Sequence, residues 1–148
     1  MSCNLQVRAC RSGWVCAARN DSNVGGASRK FALHANYVQI LHKDNTVGCY
    51  MHFQQNGVTA QVGKAVRRGQ VIGFIGMTGF TSRPHIHFHV KRNGNYHEGS
   101  EWHTVPFIFK GKKREGVQVK PGCWYKNVDG VAIKTGTLQK PKSAVVPK

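Results

Sequence analysis

Apolar and polar residues alternate along short stretches of this chain, and polar or glycine-containing turns separate the stretches. Residues 36–42 place Val38 and Ile40 on one face, and residues 47–53 repeat the alternation after a Lys-Asp-Asn turn. A period of two is typical of half-buried strands, and two such runs across a short polar turn predict a β-hairpin. The same signals predict further short strands at residues 5–10, 14–18 and 62–73.

In the second hairpin strand, strict alternation assigns each side chain to a face. It predicts that Tyr50 and His52 share one face, while Met51 and Phe53 share the other. After this strand, residues 54–57 are predicted to form a turn, and residues 20–30 form a polar loop by composition.

Residues 83–90 alternate histidines with apolar residues. As a strand, they would place His85, His87 and His89 on one face and an apolar set on the other. Alternate positions are roughly 6.6 Å apart, so inward-leaning imidazoles can reach one metal ion. Pro84 has no amide N–H and suits the beginning of such a strand. The pattern therefore predicts a metal or catalytic site, with surface or satisfied core histidines as the alternative.

Composition supports a folded chain that is built mainly from strands. The 148 residues are enough for one domain with a core, and a hydrophobic content of 40% argues against global disorder. The 17 glycines and the scarcity of helix-period runs predict an all-β fold. No apolar run approaches the roughly 20 residues of a transmembrane helix. Residues 1–11 show no apolar segment of a secretory signal.

The chain is strongly basic, with a formal charge of +16 from 22 Lys and Arg against 6 Asp and Glu. This charge predicts attraction to polyanions such as nucleic acid, acidic lipid surfaces or anionic cell-wall polymers. Nucleic acid is disfavoured because the sequence lacks the interleaved aromatics of a base-stacking platform. The five cysteines show no zinc-type spacing, and they indicate neither a disulfide pairing nor a compartment.

Two other function classes are disfavoured by local context. The glycines at 73, 76 and 79 have the spacing of a phosphate loop, but Pro84 and a strand follow where a nucleotide loop needs a helix. The glycine-punctuated run 62–73 resembles the hairpins of biotinyl or lipoyl carriers. It offers no modifiable lysine at a hairpin tip beside the expected Met or Asp.

Four short motifs follow one another in the middle of the chain: NYVxIxH at 36–42, YMH at 50–52, VGxxVxxGQxIG at 62–73 and GxTGFTxxPHIHF at 76–88. In this order they resemble the lysostaphin/LytM-type zinc metallopeptidases, which are bacterial and phage peptidoglycan hydrolases of the duplicated-hybrid-motif fold. The resemblance extends over about residues 4–94. It implies an antiparallel, sandwich-like β-sheet with a long groove and zinc at the groove floor.

The resemblance also implies roles for three histidines. His87 corresponds to a zinc ligand, and His85 to the residue that activates or orients the attacking water. His52 corresponds to the other catalytic histidine, which contacts water or the developing oxyanion. Such roles are chemically coherent, because imidazoles can accept and return a proton and stabilise a tetrahedral oxyanion. The implied partner is peptidoglycan or its peptides.

The resemblance and a change of composition together predict a domain organisation, since a cluster of basic residues begins at Lys110. Residues 1–109 correspond to the peptidase β domain, and residues 110–148 form a basic C-terminal extension. We predict that residues 134–148, rich in Lys and Pro, are disordered and contact anionic cell-wall polymers. Members of the family act in the periplasm, at the cell surface or after secretion, but the compartment of this chain is not indicated.

One departure concerns the metal. The family takes two further zinc ligands from an upstream His-x-x-x-Asp motif that has no counterpart here. His42 with Asp44, and His89 at a position where the family often has Glu, are alternatives that the resemblance does not favour. We therefore expect a zinc endopeptidase domain that is N-terminally incomplete. The alternatives are a non-catalytic wall-binding or regulatory domain on the same fold, or ligands supplied by a partner chain.

Overall fold

A computed structural model describes residues 5–93, 102–109, 117–118, 123–128 and 131–137. The chain divides into two compact units, Met1–Val105 and Pro106–Lys148. The predicted boundary between residues 109 and 110 stays a prediction. Within the described residues, no helix has the length and apolarity needed to cross a lipid bilayer.

The described part of the first unit is an antiparallel β-sheet with little helix, which confirms the predicted all-β class. A short 3-10 helix, Arg29–His34, lies between the third and fourth strands. The strands are β1 (Gln6–Arg8), β2 (Gly13–Arg19), β3 (Gly25–Gly26), β4 (Asn36–Leu41), β5 (Thr46–Val58), β6 (Ala65–Val66), β7 (Val71–Ile75), β8 (Gly79–Phe80), β9 (His87–Asn93) and β10 (Trp102–Thr104).

Strand β5 organises the main sheet, in which the order is β1-β7-β5-β4-β2-β6 and β9 pairs with both β5 and β10. With 13 residues, β5 is long enough to change partners along one edge. β9 pairs with its first part, from Thr46 to Met51, and β7 pairs with its second part, from Phe53 to Val58. β4 pairs along the other edge. The change of partner curls the sheet around its core.

The core lies on the face of the sheet predicted from alternation in β4. Val38 and Ile40 are fully buried, as expected, together with Tyr50 and Phe53 from β5. The Tyr50 ring packs 4.7 Å from the Phe88 ring, centroid to centroid. The Tyr50 hydroxyl accepts a hydrogen bond from the backbone N–H of Cys10 at 2.8 Å, so the buried oxygen is satisfied.

The predicted division of faces in β5 is wrong. Tyr50 and Phe53 both lie in the core, although they are three positions apart. The register explains this, because Tyr37 pairs with Met51 while the adjacent Asn36 pairs with Phe53. His52 is therefore an extra residue in β5, and its φ of 74° marks the irregularity. This β-bulge separates the side chains that strict alternation would have placed together.

Three other predictions need correction. The turn predicted at residues 54–57 lies within β5, which continues to Val58. The histidine strand begins at His87, so His85 lies in the segment before it, and the strand continues to Asn93, beyond its predicted end at residue 90. In the second unit, a strand over Val131–Thr137 contradicts disorder at residues 134–137, while residues 138–148 lie outside the described residues. The described residues of that unit form two antiparallel pairs, β11 (Ile108–Phe109) with β12 (Val117–Gln118) and β13 (Cys123–Val128) with β14 (Val131–Thr137).

The short parallel pair of β3 and β8 depends on a glycine at a crowded position. Gly79 has a φ of 82°, and a Cβ there would lie 2.6 Å from the Cβ of Ala35. We expect Gly79→Ala to lower the free energy of unfolding by more than the roughly 1–2 kcal/mol that a left-handed conformation costs an alanine. Urea unfolding measures the difference.

Gly63→Ala is the matched control. Gly63 has a φ of 78°, and a Cβ at this position would have no neighbouring atom within 4 Å, so only the backbone cost applies. If Gly79→Ala and Gly63→Ala lose equal amounts of stability, the result would contradict an added steric cost at Gly79.

Candidate functional site

The bulge in β5 and the pairing of β5 with β9 position the histidines. His52 leaves the regular alternation at the bulge, next to Met51, whose partner across the ladder is His87. Two residues further along β9, His89 is opposite Cys49. Because residues i and i+2 of a strand share a face, His87 and His89 project from the same side of the sheet.

The four imidazoles of this region lie in a row, which we call the histidine row: His85, His52, His87 and His89. The ring centroids of His52 and His85 are 4.8 Å apart, and those of His52 and His87 are 6.0 Å apart. The rings of His87 and His89 are perpendicular, with centroids 5.2 Å apart. The structure thus brings together the three residues predicted from the sequence. Their individual roles stay predictions.

His52 is fixed by its surroundings, with only 6% of its surface exposed. Its Nδ1 lies 2.7 Å from the backbone carbonyl of Thr78. Since a carbonyl oxygen only accepts, Nδ1 must carry the proton, and Nε2 keeps its lone pair. The Thr78 hydroxyl donates to the carbonyl of Phe53 at 2.7 Å and accepts from the backbone N–H of Asn36 at 2.9 Å. The ring is therefore oriented by a buried hydrogen-bond network.

His85 is held in a similar way from a neighbouring loop. Its Nδ1 lies 2.9 Å from the carbonyl of Arg83 and 3.1 Å from the hydroxyl of Thr81. That hydroxyl donates to the same carbonyl at 2.7 Å. Nδ1 of His85 is therefore the donor, which leaves Nε2 available as an acceptor. Sequence patterns predicted no positioning role for Thr78 or Thr81, since a threonine in a glycine-rich turn gives no specific signal.

Burial is the main cause of a lowered pKa in three histidines of the row, His52, His87 and His89. Burial lowers the pKa of His52, the hydrogen bond to Thr78 partly opposes this, and His85 and His87 lower it further. Burial also lowers the pKa of His87, and the charges of His89 and His85 add to the effect. For His89, burial is the first cause of a lowered pKa and the charge of Lys91 is the second. Neutral imidazoles can accept a proton or bind a metal ion.

His42 and Asp44, the alternative ligand pair, are both engaged in hydrogen bonds with other residues. His42 Nδ1 donates to the carbonyl of Ser12 at 2.9 Å. Asp44 Oδ2 binds Arg11 at 2.7 Å, and Oδ1 accepts from the hydroxyl of Thr46 at 2.7 Å. These contacts hold Asp44 in the turn between β4 and β5, and hydrogen bonds with Arg11 and Thr46 hold its carboxyl pKa well below its usual range. The pair has a structural role.

The described donors do not complete a catalytic zinc site. Within the part of the chain that the structure describes, no group of three or more His, Cys, Asp or Glu side chains could hold a metal ion. A catalytic zinc normally takes three protein ligands and keeps one open position. The histidine row thus offers nitrogen donors of the right kind, but fewer converging ones than such a site needs.

Comparison with known proteins relates this chain to a known family. The sequence pattern of Peptidase family M23 matches residues 1–98. Lysostaphin of Staphylococcus staphylolyticus is 31% identical over 146 residues, which are 97% of this chain and 27% of the relative. Peptidoglycan DD-endopeptidase ShyC of Vibrio cholerae is 38% identical over 62 residues, 42% of this chain and 14% of the relative.

Among solved structures, the catalytic domain of lysostaphin from Staphylococcus simulans has 27% sequence identity and a TM-score of 0.49, with 68% of each chain covered. A zinc-containing peptidase from Vibrio cholerae has 28% identity and a TM-score of 0.46, and the match covers 61% of this chain and 24% of that one.

The family match extends over about two thirds of the chain, so this protein belongs to Peptidase family M23. Members of the family are zinc metallopeptidases, and lysostaphin and other peptidoglycan hydrolases are among the proteins it resembles. The chain spans about a quarter of the length of the lysostaphins it matches.

The depressed pKa of His52 predicts a pH dependence of stability. In the unfolded chain a histidine binds its proton near pH 6.5, whereas folded His52 resists protonation. The contribution to stability is therefore full above about pH 6.5 and is lost as the pH falls toward the lowered pKa. As the pH is lowered from about 7.5 to 5.5, we expect the urea concentration at the midpoint of unfolding to decrease, and to decrease less in His52→Gln. An equal pH dependence in both proteins would contradict the burial argument.

Proposed function

We propose that this domain hydrolyses peptide bonds of peptidoglycan, with His52 and His85 as catalytic residues and His87 as a ligand of the zinc ion expected in the family. The observation that carries the proposal is the convergence of these three imidazoles in a chain that belongs to Peptidase family M23. The substrate class is suggested by the names of relatives such as ShyC, a peptidoglycan DD-endopeptidase.

Two imidazoles with anchored Nδ1 atoms suit proton transfer. In His52 and His85, the backbone carbonyls of Thr78 and Arg83 hold the Nδ1 proton, so Nε2 of each ring can accept a proton. His85 would take the proton of the attacking water and later pass it to the leaving amine. His52 is buried and rigid, and it would face the water or the developing oxyanion. A charge on the neighbouring His85 lowers the pKa of His52, so a proton taken up by His85 disfavours protonation of His52.

The metal requires donors beyond those described. The His87 ring on β9 lies near the rings of His52 and His89, but the described residues contain no group of three donors that could hold an ion. We therefore propose that further zinc ligands come from outside the described residues. Contact of the basic C-terminal extension with anionic wall polymers also stays a prediction.

The same shortage of donors favours a second candidate function. A domain that keeps the groove but does not complete the metal site would bind peptidoglycan without cleaving it. Binding to purified sacculi with no release of peptides or amines would support this candidate.

Cleavage assays with metal control separate the two functions. We expect the purified chain, supplied with zinc, to release new amino termini from peptidoglycan and to stop when a chelator is added. His85→Ala and His52→Ala should each lower the rate by about 10²- to 10⁴-fold, the usual contribution of a general acid–base residue. Release of amines measured against time gives the rates.

His103→Ala is the control for loss of a histidine, because His103 is exposed on β10 opposite Arg92. Cleavage that persists unchanged in the His85 and His52 variants would contradict their catalytic roles. If the zinc-loaded wild type binds sacculi but does not cleave them, the result would support the binding function and contradict the enzymatic one.

A further inference from the structure

One buried residue, Asn36, contacts the chain on both sides of His52. Asn36 is fully buried, and it is the first residue of β4. It pairs with Phe53, so it lies beside the point where the bulge of β5 ends. A buried side-chain amide needs partners for its acceptor oxygen and for its two donor hydrogens. The partners of Asn36 therefore indicate what this residue holds in place.

The amide group of Asn36 joins the polar loop before β4 to the residues that follow the bulge. Its Oδ1 accepts from the backbone N–H of Ser22 at 3.0 Å, and its Nδ2 donates to the carbonyl of Ser22 at 2.9 Å. Nδ2 also lies 3.2 Å from the carbonyl of Gln54 and 3.4 Å from the carbonyl of Phe53. Three carbonyls thus surround one NH2 group. Only a side chain with both an acceptor and a pair of donors satisfies this position.

The backbone of Asn36 binds the residue that orients the His52 ring. Its N–H donates to the Thr78 hydroxyl at 2.9 Å, and that hydroxyl donates to the Phe53 carbonyl at 2.7 Å. The carbonyl of the same threonine accepts the Nδ1 proton of His52. Asn36 therefore connects the hydrogen-bond acceptor of the His52 ring with the backbone that follows His52.

This connection bears on which ring nitrogen of His52 carries the proton. A neutral imidazole holds its proton on either nitrogen, and the hydrogen bond that one nitrogen makes selects between the two forms. His52 has a φ of 74°, a strained conformation that persists only while its surroundings enforce it. If the bulge relaxed away from Thr78, Nδ1 would lose its acceptor. The proton could then occupy Nε2, the atom that must be free to accept a proton.

We propose that Asn36 is a positioning residue for His52. Its buried amide holds the bulge and the Thr78 carbonyl in one arrangement, and this arrangement keeps the ring proton on Nδ1. The inference rests on the proposed function, because that function gives the free Nε2 of His52 its use. The motif at residues 36–42 contains Asn36 but assigns it no role.

NMR of the ring nitrogens tests the inference directly. The purified full chain, with ¹⁵N-labelled histidines and no added metal or substrate, is observed at about pH 8, above the usual histidine pKa of about 6.5. We expect His52 to show only the Nδ1–H form in the wild type and to populate the Nε2–H form in Asn36→Ala. The measurement needs no catalysis, so a chain that fails to cleave peptidoglycan would contradict the proposed function and leave this result standing.

Asn20→Ala is the matched control, because Asn20 also binds β5 through its side-chain amide. Its Oδ1 accepts from the backbone N–H of Val58 at 2.7 Å, and its Nδ2 lies 3.4 Å from the carbonyl of Val58, at the far end of β5 from the bulge. We expect only the Nδ1–H form of His52 in this variant. A folded Asn36→Ala that keeps only the Nδ1–H form would overturn the inference, as would an equal Nε2–H population in both variants.

Hydrogen exchange in the wild type decides the question if Asn36→Ala does not fold. We expect the side-chain amide protons of Asn36 to exchange with solvent far more slowly than those of the exposed Asn23. Low concentrations of urea should accelerate exchange of the Asn36 amide and of the His52 Nδ1 proton in parallel, because one local opening exposes both. Rapid exchange at Asn36, or a different urea dependence for the two groups, would overturn the inference.

Discussion

The arrangement of the histidines depends on one irregularity, the extra residue at His52 in β5. Tyr50 and Phe53 are both required by the core, and a regular strand cannot bury two residues three positions apart on one face. The bulge resolves this conflict and releases His52 from both ladders. A non-glycine residue in the left-handed region costs about 1–2 kcal/mol. Burial of one aromatic side chain contributes about 1.5–3 kcal/mol, so burial of Tyr50 and Phe53 can offset the backbone strain at His52.

Hydrogen bonds fix the strained residue on both sides. The backbone N–H of Gly76 donates to the carbonyl of His52 at 2.9 Å, while the His52 ring donates to the carbonyl of Thr78. The loop that contains these two partners also leads to Thr81 and His85. The segment between β7 and β9, which includes β8, therefore orients both imidazoles that we propose as catalytic residues.

Sequence patterns predicted the regular parts of this structure and missed the irregular ones. Alternation at Val38 and Ile40 predicted β4 and its hairpin, because these residues follow the pleat without interruption. Period-two reasoning failed at His52, since a bulge has no local sequence signature and arises from the competing demands of the core. It also extended the histidine strand to include His85, which lies before the first β9 residue. Spacing predicted a site at His85, His87 and His89, because three histidines occupy alternate positions there, whereas the prediction for His52 came from the family resemblance.

Electrostatics explains why the described site consists of imidazoles. Asp21 and Asp44 are the only carboxylate side chains between residues 5 and 93. Each forms an ion pair with an arginine, Asp21 with Arg19 at 2.9 Å and Asp44 with Arg11 at 2.7 Å. This part of the chain therefore has no uncommitted carboxylate to offer a metal or a substrate. Any acid in the complete site must come from outside these residues.

The most direct test of the account is a zinc-edge anomalous difference map from crystals of the chain grown with zinc. We predict one strong peak at about 2.0–2.1 Å from a ring nitrogen of His87, with Nε2 of His52 and of His85 directed toward the same groove. A peak remote from the histidine row, or imidazoles of His52 and His85 that point to different faces of the sheet, would contradict the account.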